Sequence, residues 1–150
     1  MPHEIVRLKY GPLTAQPDVS RSGRKLDLQV IFTDLPKTAA ALATARALAR
    51  DLGARITLIA AQIVPYPLPL TEPDVPVEFT ERAMESLAAD EDATIEIYLC
   101  RDRNDAIRHV LPPDSLVIVG ARKWRWWPSW ESRLARLLRQ DGRRVLVVTI

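Results

Sequence analysis

The chain has 150 residues, 47% hydrophobic and 27% charged, which is enough for one domain with one core and too few for two ordinary ones. No apolar run is long enough to span a bilayer, and the opening MPHEIVRLKYGPLTAQ lacks an apolar segment after a basic start, so neither a membrane span nor a secretory leader is expected. The single cysteine, Cys100, leaves no internal disulfide and points to a reducing cytoplasm, while a net charge of +2 is too small to imply nucleic acid.

Residues 1–24 mix prolines and glycines with SRSGRK and read as a flexible N-terminal extension, in which only IVRLKY has the alternation of an edge strand. Residues 25–150 form the expected domain. LDLQVIFTD (26–34) is an apolar run ending in a polar pair, as a buried strand does. Pro36 suits a first helical turn, Ala39, Ala40, Leu42, Ala43, Leu48, Ala49 and Leu52 recur at helical spacing, and Gly53 supplies the stop. ARITLIAAQIV (54–64) is the next strand, completing a β-α-β unit.

PYPLPLTEPDVP (65–76) holds five prolines and can only be a loop. Helical spacing resumes in VEFTERAMESLAAD through Phe79, Ala83, Met84 and Leu87. A turn at Asp90-Glu91-Asp92 leads into the alternating strand ATIEIYLC. RNDAIRHVL is a short helix closed by Pro112 and Pro113, and SLVIVGA is a fully apolar strand. Ser129 caps a last helix with Glu131 in its first turn, Leu134, Leu137 and Leu138 line one face, and Gly142 ends it before the strand VLVVTI. The expected fold is therefore a single α/β domain of Rossmann-like type, with a five-stranded, mostly parallel sheet and helices on both faces. In such sheets a ligand crevice opens at the carboxyl ends of the strands, at the topological switch point.

The run VIFTDLPKTAAALATARALARDLGARITLIAA resembles the opening of universal stress protein domains, and SLVIVGARK with RLARLLRQDGRRVLVVTI resembles that family's last third. The resemblance spans residues 26–150. It implies an adenine-nucleotide crevice with Thr33 and Asp34 beside adenine and ribose, and a homodimer formed through the C-terminal strand. Family members that bind ATP carry a loop G-x-x-G, nine residues, then G-[ST], whose glycines let backbone N–H groups close on phosphates. Here Gly120 matches the first glycine, Lys123 occupies the second, and Glu131-Ser132 falls where the final Gly-[ST] belongs. Only Gly120 and Ser132 survive.

All four tryptophans, Trp124, Trp126, Trp127 and Trp130, stand in this altered loop together with Arg122, Lys123 and Arg125. Bulky side chains block the backbone approach that glycine permits. A carboxylate at Glu131, about 4 Å from a phosphate charge at an effective dielectric near 20, repels it by roughly 4 kcal/mol. The expectation is a non-enzymatic regulatory or stress-associated module with ATP binding weakened or lost, acting through protein-protein contacts.

Two alternatives stay open. One is an ATP switch, with magnesium, in which Arg122, Lys123 and Arg125 replace the glycine loop. The other is a peripheral adaptor that docks on a membrane surface or partner through Trp124, Arg125, Trp126, Trp127 and Trp130, against the plainer reading that these rings only pack. Residues 121–144 carry eight Lys/Arg against Glu131 and Asp141, which makes that part basic, but no nucleic-acid motif accompanies it and nucleic acid is not expected.

Asp34 has a second reading as a helix cap. His3 and His109 lack a second ligand at metal spacing, so no metal is expected. Cys100 reads as a buried thiol. No spacing nominates a catalytic nucleophile or base.

Overall fold

A computed structural model describes residues 4–10, 26–89, 93–123 and 129–150. In chain order the elements are β1 (Ile5–Tyr10), β2 (Asp27–Ile31), α1 (Leu35–Leu52), β3 (Arg55–Ile63), α2 (Val77–Ala88), β4 (Ala93–Cys100), α3 (Arg103–Val110), β5 (Leu116–Ala121), α4 (Trp130–Gln140) and β6 (Arg144–Thr149). The strands form one sheet in the order β1-β4-β3-β2-β5-β6. β4, β3, β2, β5 and β6 are parallel, and these are the five strands the sequence predicts.

The sheet has six strands rather than five, because IVRLKY joins it. β1 runs antiparallel to β4, from Ile5 opposite Cys100 to Tyr10 opposite Ile95. Its alternating pattern suits an edge position, where one face packs and the other meets water. The rest of the expected extension, residues 1–3 and 11–24, lies outside the described residues, as does the expected turn at Asp90-Glu91-Asp92.

From β2 the chain steps outward through β3 to β4, then crosses back to β5 and β6 on the other side of β2. The reversal between β2 and β5 is the switch point, and it leaves a crevice beyond their carboxyl ends. α1 and α2 cover one face, where Leu42 and Met84 pack with Leu28, Leu58 and Ile97. α3 and α4 cover the other, where Ile107, Leu134 and Leu138 pack with Ile31, Ile59 and Val119. Each of these fully buried side chains contributes about 1.5–3 kcal/mol relative to exposure.

Helix ends follow the local sequence. Asp34 caps α1, a proline stands in its first turn, and Gly53 closes it with φ 61°. That left-handed conformation is one that glycine adopts without a Cβ penalty. On α2, Phe79 is exposed and Val77 is buried instead. Phe79 precedes Met84 by five residues, about 140° around the helix, so it cannot share the face that Val77, Met84 and Ala88 bury. Arg101 anchors the proline-rich loop by donating to the carbonyls of Val64 (2.9 Å) and Leu68 (2.7 Å), with its guanidinium 4.1 Å from the Tyr66 ring centroid. No helix among the described residues is long and apolar enough to cross a membrane.

Candidate functional site

The crevice at the switch point is built by three segments: the end of β2 with the first turn of α1, the end of β5, and the first turn of α4. Thr33 and Asp34 leave β2 together. The Thr33 N–H donates to the buried Thr38 hydroxyl at 3.0 Å, which folds the start of α1 back onto the strand end. Asp34 Oδ1 accepts from the Lys37 N–H at 2.9 Å, so its carboxylate caps α1. Its other oxygen lies 3.1 Å from Lys37 Nζ. Both the capping role and the position at the crevice therefore apply to Asp34.

Lys37 reaches across the crevice. Its ammonium donates to the Glu131 carboxylate in the first turn of α4, while still paired with Asp34. Glu131 is only 2% exposed. Burial pushes its carboxyl up, but the Lys37 hydrogen bond, its own backbone N–H, the Ser129 hydroxyl and the Lys37 charge outweigh that and hold it below the ordinary glutamate value. Burial likewise pushes Asp34 up, and Lys37 with the nearby Arg122 charge brings it below the usual range. For Lys37, burial opposes the charged form, yet the two carboxylates hold its ammonium above the usual lysine value. All three groups are ionised at neutral pH, one cation held between two carboxylates.

Gly120 lies beneath this pair. A Cβ built on it would come within 2.1 Å of the Lys37 carbonyl oxygen, so the close approach that requires glycine here is made by the backbone of α1. Beyond it Arg122 and Lys123 are exposed, and the chain is pinned where the Lys123 N–H donates to the Ile150 carbonyl at 3.4 Å. Ser132 is exposed, and its N–H donates to the hydroxyl of Ser129, the N-cap of α4, at 3.2 Å.

The structure thus brings Thr33, Asp34, Gly120 and Glu131 to one crevice, with Arg122 close enough to bias Asp34. Sequence reasoning missed Lys37. Its signal was available in Asp34-x-x-Lys37, a spacing that puts both side chains on the first helical turn. Trp124, Arg125, Trp126 and Trp127 lie outside the described residues. Trp130 packs against the α3/α4 core, and the Arg103 guanidinium stacks 4.2 Å from its ring centroid.

Chemically the crevice is an ion-paired seam. Its carboxylates are held ionised, which does not suit general acid work at neutral pH. The Cys100 thiol is buried on β4, and burial, relieved slightly by Arg103, pushes it up to about 11. Among the described residues no cluster of three or more His, Cys, Asp or Glu could hold a metal ion; His3 lies outside them.

No family model and no curated protein matches the chain. Among solved structures it is similar to a protein from the universal stress protein family from Burkholderia pseudomallei, at 20% identity and a TM-score of 0.57, over 81% of this chain and 94% of that one. The fold is universal stress protein-like, as the ordered set of strands and helices predicts.

Proposed function

We propose that this chain is a non-enzymatic regulatory module in which a nucleotide crevice has been converted into an internal ion-paired seam, and that it acts through contacts with proteins. The observation that carries this reading is the bridge from Lys37 to the buried Glu131. The N-termini of α1 and α4 both face the crevice, and helix N-termini favour anions. In this chain the anion there is a carboxylate of the protein itself. A phosphate entering the same space meets that charge and must break a buried pair to remain.

The test is a titration with ATP and magnesium, followed by calorimetry and by tryptophan fluorescence, since every tryptophan falls between Gly120 and Ser132 in sequence. A flat response at millimolar ATP is expected. Saturable heat with a fluorescence change overturns the proposal and favours the switch in which the exposed Arg122 and Lys123 hold the phosphates.

The protein contact we favour is with a second copy. β6 is the sheet edge next to β5, with Leu146 and Ile150 exposed among the other apolar residues of VLVVTI. An apolar, unpaired edge of this kind is a template for strand pairing. Sedimentation at tens of micromolar decides it: a dimer supports the reading, and a monomer removes it.

A further inference from the structure

On the α3 side of the sheet lies a cavity of about 250 Å³, whose lining runs from Asp27 at the start of β2 to Tyr98 near the end of β4. Its lining includes Arg7 on β1, Asp27 and Gln29 on β2, Thr57 on β3, and Glu96 and Tyr98 on β4, with Val110 and Pro112 from the end of α3 forming an apolar wall. α3 is only eight residues long, and the cavity opens where it ends, at Val110 and Pro112. A parallel sheet buried on both faces normally fills such positions with Val, Ile or Leu. Here polar side chains occupy four adjacent strands.

Gln29 is the informative one. It is 3% exposed, and its amide oxygen has no hydrogen-bond partner among the described residues. A buried acceptor left without a donor is costly, and native interiors rarely tolerate one. Gln29 stands beside Thr57 in register, on the floor of the cavity.

Two donors of the lining are turned to Glu96. Arg7 donates to Glu96 at 2.6 Å, and the Tyr98 hydroxyl donates to the other Glu96 oxygen at 2.8 Å. Burial and the Glu96 carboxylate raise Tyr98 far above the ordinary phenol value, so it keeps its proton for that bond. Asp27, partly exposed, has a loose pairing with Arg55 at 3.7 Å. Among the described lining residues one cation faces two carboxylates. The acceptors least satisfied among the described residues are therefore the Gln29 amide oxygen and the Asp27 carboxylate, and what suits both is an N–H donor, best a cationic one.

We infer that this cavity binds a small organic cation rich in N–H groups, a guanidinium or primary ammonium on a short aliphatic stem. The cationic head donates to Gln29 Oε1 and to the Asp27 carboxylate, and the stem lies against Val110 and Pro112. The volume falls below that of drug-sized pockets and suits a metabolite-sized ligand. The site is independent of the crevice reading, because it shares no residue with it.

The experiment is a set of amide-resolved NMR titrations of the full chain with agmatine, with sorbitol as a neutral polyol and acetate as an anion. Agmatine is expected to give saturable shifts at Gln29, Thr57 and Tyr98, with sorbitol and acetate inert there. Gln29→Leu replaces the acceptor with an apolar side chain of similar size, and Asp27→Asn removes a partly exposed charge. Each is expected to weaken agmatine about tenfold, the loss of one hydrogen bond to a charged donor.

Flat agmatine titrations, a stronger response to sorbitol or acetate, or unchanged affinity in Gln29→Leu overturns the inference. Should Gln29→Leu fail to fold, unchanged affinity in Asp27→Asn overturns it equally.

Discussion

Gly120 on β5 and Lys37 on α1 are in backbone contact: a Cβ added at Gly120 would stand 2.1 Å from the Lys37 carbonyl oxygen and 2.7 Å from its carbonyl carbon. The obstacle is main chain, which cannot swing aside as a flexible side chain can. Gly120→Ala must therefore push α1 off the sheet at the point where Lys37 is aimed at Glu131. We expect a loss on the order of 3 kcal/mol in urea unfolding, at the upper end for overpacking. Gly53→Ala, where nothing lies within 4 Å and only the φ of 61° is strained, should cost about 1–2 kcal/mol. Equal losses at the two positions would show that the contact with Lys37 does not matter.

The bridge itself is tested by removing one end and then both. Lys37→Met leaves Glu131 buried without its cation, and Glu131→Gln leaves Lys37 with Asp34 alone. Lys37→Met is expected to cost about 3–5 kcal/mol, because the buried Glu131 charge is stranded, and Glu131→Gln less, because Lys37 keeps Asp34. The double variant Lys37→Met with Glu131→Leu strands no charge within the pair, and should be more stable than either single variant. Additive losses in the double variant would argue against a direct interaction.

The pH dependence has a definite sign on each side. Glu131 and Asp34 are held below their ordinary values of 4.5 and 3.8, so their contributions are complete above those values and disappear as pH falls through the lower folded ones. Lys37 is held above 10.5, so its contribution is complete below that value and disappears as pH rises through the higher folded one. From this network we expect a plateau in thermal midpoint across the neutral range, with a fall at each side. Glu131→Gln should flatten the acid fall, and an unchanged acid limb in that variant would sink the assignment.

The elements of this fold were legible because their signals are local. Pro36 and Gly53 bracket α1, Ser129 opens α4, and the apolar runs of β2, β3 and β5 stand alone in the sequence. The sixth strand was weaker, since IVRLKY pairs with β4 across some ninety residues and no short-range pattern specifies that partner. Phe79 misled for a related reason: helical spacing admits several faces, and only the packing of Val77 and Met84 on the sheet selects one.

Asp34, Gly120 and Glu131 can each be singled out along the sequence. What joins them is Lys37, and a contact between positions 37 and 131 is set by how two helices meet over the switch point, which spacing along the chain does not encode. Gln29 was hidden in the same way. Within LDLQVIFTD it reads as one polar break in an apolar strand, and only the sheet places it beside Thr57.

Edge pairing through β6 makes a prediction about a single exposed side chain. Leu146 is an exposed apolar residue on the last strand. Lysine on an edge strand is a common device against pairing, because its charge must otherwise be buried. Leu146→Lys should shift the sedimentation of a dimer to that of a monomer while leaving the circular dichroism spectrum unchanged. A dimer that persists at the same concentration would move the interface away from β6.

Cys100 gives a readout of the intact sheet. It lies on β4 between β1 and β3, is 1% exposed, and its thiol donates to the Gln62 carbonyl at 3.6 Å. Only the thiolate attacks alkylating agents and disulfides, and a thiol pushed up to about 11 is almost wholly protonated at neutral pH. Burial and protonation therefore act in the same direction. Under native conditions iodoacetamide or a disulfide reagent should modify the chain far more slowly than in urea, where both protections vanish. In Gly120→Ala the native rate should rise with the population of opened molecules. Rapid, stoichiometric labelling of the folded wild-type chain would mean that β1 does not cover this edge of the sheet in solution.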